Sequence, residues 1–265
     1  MFCKSIIEKG GSFLVEEKFT GEEFSLMSFC DGVHIHHMPI VQDHKRAFDG
    51  DTGPNTGGMG TYSDSNHSLP FLKNSDIEHA KNINELTLKA LKSKTGLDYK
   101  GILYGGFMAV KDGIRLIEYN ARFGDPEAMN VLSLLKTDLI DICKSIIDGN
   151  LNDCKIEFLN KATVCKYAVP NGYPDDPIKN KPINIEHMPD IENVYFASVD
   201  LKNSALVETG SRTLAAISIK DTIFDAEKDV EKNIASVTGP LFHRSDIGTD
   251  TVIQKKIDRM YKLRC

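Results

Sequence analysis

The sequence lacks a basic excess, a long apolar run and a paired-cysteine motif, and each absence removes a class of function. Its 265 residues carry 32 Lys and Arg against 38 Asp and Glu, a formal net charge of −6. Such a surface favours neither nucleic acid nor anionic membranes, which select a basic face. Anionic small molecules stay open, because they need only a local cluster of donors. No apolar run reaches the length of a bilayer crossing, so no membrane partner is expected. The opening MFCKSIIEKGG lacks the apolar core of a signal peptide, and the expected compartment is the cytoplasm. Six cysteines, at 3, 30, 143, 154, 165 and 265, include no Cys-x-x-Cys pair. That argues against a zinc site or a thioredoxin-like motif and for free thiols, several of them buried. No internal repeat, low-complexity tract or Ser/His/Asp signature stands out.

What remains is the composition of a globular protein, 41% hydrophobic and 26% charged, long enough for one large domain or two small ones. Phe13 to Val15 and Phe24 to Phe29 read as strands, and Asp31-Gly32 turns the chain into Val33 to Ile35. A Gly/Asp/Asn/Thr-rich stretch from Asp43 to Ser65 follows; loops of that length are usually functional or disordered. Ser75 and Glu78 fit a helical capping box, with Ile77, Ala80, Ile83, Ala90 and Leu91 as the apolar stripe. Ile102 to Val110 and Ile114 to Tyr119 flank Lys111-Asp112-Gly113 as a hairpin. Asp125 and Pro126 suit the N-cap and first position of a helix. Another helix spans Thr137 to Asp148, with Leu139, Ile140, Cys143, Ile146 and Ile147 inward and Gly149 closing it. Beyond Lys161 come strand-like runs (Ala162 to Val169, Val194 to Val199, Thr213 to Ile219) and one amphipathic helix near Asp221 to Ser236. The expected fold class is α+β, with domains at 1–158 and 159–265.

Three stretches carry chemistry. In Leu116-Ile117-Glu118-Tyr119-Asn120-Ala121-Arg122, period-two alternation puts Glu118, Asn120 and, if the strand reaches it, Arg122 on one face, opposite Ile117 and Tyr119. A carboxylate and an amide oxygen can ligate a hard cation, and an arginine beside them can bind an anion the cation also touches. An edge strand with solvated polar residues would show the same spacing. The loop Asp51-Thr52-Gly53-Pro54-Asn55-Thr56-Gly57-Gly58-Met59-Gly60 allows close backbone approach to an anion, with Lys45 and Arg46 supplying charge. It is not a P-loop, because no Gly-Lys-Ser/Thr follows, and ordinary turns share its composition. Glu16-Glu17-Lys18-Phe19-Thr20-Gly21-Glu22-Glu23 is either a carboxylate-lined binding edge or a solvated hairpin end. His34 and His36 alternate, a weak hint of a metal pair.

In order and spacing these stretches resemble the C-terminal part of the phosphoribosylamine–glycine ligase family of the ATP-grasp superfamily. The resemblance is carried by QDHKRAFDGDTGPNTGGMG (Gln42 to Gly60) and IEYNARFGDPE (Ile117 to Glu127). It continues through KATVCKYAVPNGYP (Lys161 to Pro174), TGSRTLA (Thr209 to Ala215) and GPLFHRSDIGT (Gly239 to Thr249), running from about Phe13 to about Lys256. It implies a partial ATP-grasp domain, mainly antiparallel sheet with helices, followed by a small α+β C-terminal domain. It also implies ATP and Mg²⁺ (or Mn²⁺) as cofactors, and glycine and 5-phosphoribosylamine as substrates. In the family reaction the glycine carboxylate attacks the γ-phosphate of ATP, and the amine of phosphoribosylamine then displaces phosphate from glycyl phosphate.

The resemblance assigns Glu118 and Asn120 to the metal, Arg122 to the transferring phosphoryl group, and Glu16, Glu17 and Phe19 to adenine. It assigns Glu23 to ribose, and Lys45, Arg46 and the loop Asp51, Thr52, Gly53, Pro54, Asn55, Thr56, Gly57, Gly58 and Met59 to the substrate pocket. Where many ATP-grasp enzymes add a metal carboxylate on the preceding strand, this sequence has Gly105 and Gly106. The family's N-terminal domain and the lysine-bearing small subdomain have no counterpart. The expectation is therefore a chain completed by a separately encoded N-terminal half, and at most a weak nucleotide binder by itself. A non-catalytic module and another ATP-grasp carboxylate–amine ligase are the alternatives.

Overall fold

A computed structural model describes residues 2–265. A short helix α1 (Phe2–Glu8) precedes the first long strand, β1 (Glu22–Asp31), whose Phe24, Leu26, Met27 and Phe29 are buried. Between them Phe13 to Val15 form no strand, contrary to the sequence reading. Leu14 and Val15 are 80% and 82% exposed, and no strand among the described residues pairs with them. Without a ladder partner, β propensity alone does not make a strand. The Asp31-Gly32 turn does reverse the chain, into β2 (Ile35–His37), with Phe29 opposite His36. Asp31 Oδ1 accepts from the N–H groups of Val33 and His34 at 2.9 and 2.7 Å, fixing the turn.

The glycine-rich stretch is ordered as β3 (Gln42–Asp43), β4 (Arg46–Phe48), β5 (Thr52–Asn55) and β6 (Gly60–Ser63), with β4 and β5 a small hairpin. Helix α2 (Asn74–Thr95) follows. Its cap sits earlier than expected: the N-cap is Lys73, whose N–H donates to Asp76 Oδ2 at 2.9 Å, and Ser75 and Glu78 form no box. Asp76 is the right residue because its carboxylate also faces the helix N-terminus and takes Arg264. The inward face holds Ala80, Asn84 and Leu88, while Ala90 and Leu91 are exposed.

The hairpin β7 (Lys100–Val110) and β8 (Gly113–Asn120) forms as read. Helix α3 (Glu127–Leu134) starts later than expected, with Pro126 as N-cap, because Asp125 turns its carboxylate to Tyr167 and Arg212 instead. In α4 (Leu139–Asp148) Asp138 caps through Ile140 N–H at 2.7 Å and Gly149 ends the helix. Its buried face is Ile142 and Ile146; Ile140, Cys143 and Ile147 point outward. The second half supplies β9 (Ala162–Pro170), β10 (Val194–Phe196), β11 (Val199–Lys202), β12 (Ala205–Glu208), β13 (Leu214–Lys220), α5 (Ile223–Ile234), β14 (Leu241–Phe242) and α6 (Asp250–Arg264). The single run expected from Val194 to Val199 is thus two strands in different sheets.

Two antiparallel sheets organise these elements. One has the order β2-β1-β7-β8 and the other β10-β13-β9-β6-β3, with β14 on β9. The second sheet runs across the two halves of the chain, since β6 pairs with β9, Thr61 opposite Cys165. Phe24 and Phe107 from the first sheet and Val164 and Ile217 from the second share one apolar core. Met27, Phe29 and Ile142 form another under α4. Two free cysteines are sealed in these layers, Cys30 on β1 and Cys165 on β9, while Cys3, Cys143 and Cys265 are exposed. Helix α6 closes back on the hairpin: Arg264 holds Asp76 through two hydrogen bonds of 2.7 and 3.0 Å and donates to the Val110 and Gly113 carbonyls. The expected α+β class stands, and no helix is long and apolar enough to cross a membrane among the described residues.

Candidate active site

The E-x-N strand is where local structure departs from simple alternation. On β7 and β8 Gly106 pairs with Glu118 but Phe107 pairs with Leu116, so Ile117 is the extra residue of a bulge. The bulge turns Ile117, 46% exposed, into the same crevice as Glu118 rather than to the opposite face. Tyr119 does face the other way, its hydroxyl donating to Asn84 Oδ1 and accepting from the Thr87 hydroxyl of α2, both at 3.0 Å. Asn120 shares the Glu118 face, Nδ2 donating to Glu118 Oε1 at 3.4 Å. The strand stops at Asn120, and the exposed Arg122 donates to the Phe123 carbonyl at 2.8 Å; alternation does not extend that far. Gly106, across from Glu118, also lines the crevice, so the strand offers no second carboxylate there.

Opposite Glu118 the crevice is walled by Glu23 of β1, Asp43 of β3, Lys45 and Glu127 of α3. Its free volume is about 20 Å³, room for one water or a small ion. Gln42 sets the β3 wall: its Nε2 donates to the Glu23 carbonyl at 2.9 Å and its Oε1 accepts from Tyr62 at 2.6 Å. Lys45 Nζ lies 3.3 Å from Glu23 Oε2. Burial works against its charge, but Glu23 and Asp43 together hold the ammonium above its ordinary value. Asp43 Oδ1 is buried with no hydrogen-bond partner. Burial, and then the nearby Glu127 carboxylate, push the Asp43 carboxyl well above the usual range. Burial likewise raises Glu127, against its hydrogen bond from Tyr104 OH at 2.8 Å. This is an acidic pocket with one cation and an unanswered acceptor.

The glycine-rich stretch divides in two. Its far part, Asp51 to Asn55, is held by the second half of the chain. Arg244, 1% exposed, donates to Asp51 Oδ1 at 2.8 Å and forks onto Asp246 with two bonds of 2.8 Å. Lys256 lies 3.7 Å from Asp51 and 3.4 Å from Glu22, which also takes Arg259. Asp49 accepts from Ser245, and Gly50 N–H donates to Asp246. Arg46 donates to the Gly53 carbonyl at 2.7 Å, so it braces the hairpin. Thr52 donates to the Asp49 carbonyl. The near part, Thr56 to Gly58, borders the crevice: Thr56 N–H and Oγ1 both donate to the Lys45 carbonyl, and Gly58 N–H to Thr56 Oγ1. At Gly58, φ is +110°, and a Cβ would sit 2.6 Å from Pro126 Cδ and 2.7 Å from Asp43 Oδ1, so only glycine fits. Met59 is fully buried in the core, not a lining residue.

The structure therefore brings together Glu23, Lys45, Glu118 and Asn120 with the border Thr56 to Gly58. It leaves Glu16, Glu17 and Phe19 on an irregular segment whose side chains do not line the crevice, and Asp51 in the Arg244 network. Sequence reasoning missed Asp43, Glu127, Ile117 and Tyr104. Asp43 stands two residues before Lys45, on a strand period from it, which was the available signal. The histidines hold no metal pair: His34 bonds Asp31, and His36 stacks near Phe158. As a metal site, Glu118 and Asn120 fit a Mg²⁺-like ion, which commonly takes one or two carboxylates and fills its shell with phosphates and water.

Sheets, strand hairpin and crevice together define the ATP-grasp class. Biotin carboxylase domains share the fold, for example that of Hydrogenobacter thermophilus 2-oxoglutarate carboxylase, with a TM-score of 0.59 at 13% identity. Two family models match the chain, "Phosphoribosylglycinamide synthetase, ATP-grasp (A) domain" over residues 2–128 and the C domain of the same synthetase over 163–250. The chain belongs to the phosphoribosylglycinamide synthetase family. It is 49% identical over 263 residues to the phosphoribosylamine–glycine ligase of Methanocella arvoryzae and 52% identical over 270 residues to that of Methanococcus vannielii, covering 99% of this chain in each case. It spans 60% of the length of these relatives. The crystal structure of the Thermotoga maritima ligase superposes with a TM-score of 0.77 at 28% identity, over 92% of this chain and 63% of that one.

Proposed function

We propose that this chain carries the metal-binding floor, the substrate border and the C-terminal domain of an ATP-dependent ligase. The ligase joins glycine to 5-phosphoribosylamine and yields glycinamide ribonucleotide, ADP and phosphate through glycyl phosphate, in purine biosynthesis. The observation that carries the reading is the crevice, where Glu118 and Asn120 lie within 3.4 Å of each other across from the Lys45–Glu23 pair, with Asp43 unpartnered between the walls. Two reacting anions need neutralisation and close approach more than they need an acid or base. Glu118 and Asn120 would hold Mg²⁺ or Mn²⁺, which when bound neutralises the ATP phosphates.

The chain's own groups divide the remaining work. Exposed Ile117 is an apolar floor for adenine beside Glu23, the ribose partner, with Glu16, Glu17 and Phe19 on the irregular segment that leads into β1. Lys45 stabilises the carboxylate of glycine against the γ-phosphate, and Arg122 the acyl phosphate. Asp43 and Glu127 accept the ammonium of glycine, a cation that answers both carboxylates. Thr56 to Gly58 border the bound amino acid, and the hairpin from Asp51 to Asn55 with Arg46 supports them. We assign residues 1–158 to the ATP-grasp part and 159–265 to the C-terminal domain. The part of the relatives that lies outside the matched 60% completes the enzyme in the cytoplasm.

The test mixes the chain with an N-terminal half from one of the relatives and measures phosphate release with ATP, glycine and phosphoribosylamine. Turnover is expected only with both pieces, and Glu118→Ala should lower it by about 100-fold or more, the scale of a lost charge-stabilising group. Undiminished turnover in Glu118→Ala would remove the metal assignment.

A further inference from the structure

Arg212 lies in the segment matching the C domain, yet every hydrogen bond its side chain makes is to the A-domain segment. Nη1 donates to the Gly57 carbonyl at 2.7 Å, the Gly58 carbonyl at 3.3 Å and the Asp125 carbonyl at 3.2 Å, while Nη2 donates to Asp125 Oδ2 at 2.8 Å. The guanidinium lies 4.6 Å from the ring centre of Tyr167, whose hydroxyl donates to the other Asp125 oxygen at 3.0 Å. A planar fork with this many donors in fixed directions can join three carbonyls and a carboxylate at once; an ammonium cannot. Both joined segments border the crevice. Gly58 packs against Asp43 and Pro126, and Asp125 immediately precedes the turn into Glu127.

We propose that Arg212 is a positioning residue of the ligase site. It locks the Gly57-Gly58 backbone onto the Asp125 turn, so that the substrate border, Asp43 and Glu127 form one wall. This rests on the function proposed above. Through it the C-terminal domain sets the geometry of a pocket whose lining residues belong to the other half. The consequence is selective: the wall that receives glycine depends on Arg212, whereas Glu118, Asn120 and Ile117 sit on the opposite strand pair and do not.

The experiment compares wild type, Arg212→Lys and Arg212→Ala by hydrogen–deuterium exchange on the chain and by calorimetric titration of Mg·ATP and of glycine with a relative's N-terminal half present. In Arg212→Ala the Gly58-Met59 and Ala128-Met129 amides should exchange faster together, by about tenfold or more for the loss of charge-assisted bonds. The ladder between Cys165 and Ile217 should keep its protection. Glycine affinity should fall by about tenfold while Mg·ATP affinity stays within about twofold. Arg212→Lys should recover less than half of the loss, because it restores charge without the fork. Unchanged exchange at both segments overturns the proposal. So does equal acceleration along the whole Cys165–Ile217 ladder, the mark of a purely structural arginine. If wild type binds neither Mg·ATP nor glycine, the functional reading fails, and the exchange measurement still decides the clamp.

Discussion

Around Arg244 every charge has found its counterpart, whereas around Asp43 the carboxylates outnumber their cations. The Arg244 network pairs two arginines, a lysine and three carboxylates across the chain, Glu22 and Asp51 from the first half and Arg244, Asp246, Lys256 and Arg259 from the second. The crevice sets Glu23, Asp43, Glu118 and Glu127 against Lys45 alone. Desolvating a charge costs several kcal/mol unless partners compensate, so the first cluster reads as structure and the second as a place that a ligand completes. The difference separates stability from function within one molecule.

The largest effect should come from breaking the finished cluster. Arg244→Met strands Asp51 and Asp246 without their fork, and urea unfolding should show a loss of about 3–5 kcal/mol. A loss under about 1 kcal/mol would mean that the network is not what holds the hairpin. Next comes His44, buried beside Lys256 and Arg244 with Nε2 unpartnered. Burial first, then those two cations, push its pKa down to about 3. A depressed histidine contributes stability that is present above its unfolded value and lost as pH falls through the folded one. Unfolding free energy should thus drop by up to about 1.4 kcal/mol per pH unit between about pH 6 and pH 4. His44→Gln should flatten that slope in urea titrations. Asp43 and Glu127, with raised carboxyl values, act in the opposite sense, contributing stability at low pH that is lost as pH rises through their folded values.

For that reason Asp43→Asn should stabilise the protein near neutral pH while impairing glycine binding. A gain of roughly 1 kcal/mol, read as a rise in Tm of about 2–4 °C, is the expected size. A fall in Tm would show that the carboxylate is already answered and would erase the contrast with Arg244. The smallest effect belongs to Glu118→Gln, an exposed strand residue, where stability should stay within about 0.5 kcal/mol.

Legibility in the sequence followed the range of the interaction. The β7–β8 hairpin was readable because its turn and both arms are adjacent. The bulge at Ile117 was not, because it is a property of the pairing with β7 rather than of β8. Helix α4 carries two apolar stripes, and only packing against β1 selects Ile142 and Ile146 over Ile140 and Ile147. Glu118, Asn120 and Lys45 came from a motif, but Asp43 meets Glu127, and Gly58 meets Arg212, only after the sheets assemble. The apolar run Phe13 to Val15 has strand composition and no strand to join.

The two sealed thiols make each sheet its own clock. Cys30 is buried on β1, where burial pushes its pKa to about 12, and Cys165 is buried on β9 and raised further in the same direction. A thiol reagent added in excess should modify Cys3, Cys143 and Cys265 within the mixing period. It then waits on the opening of one sheet or the other. Peptide-resolved labelling would therefore time the two sheets separately in a single sample, with no engineered probe, and would tell whether they come apart together.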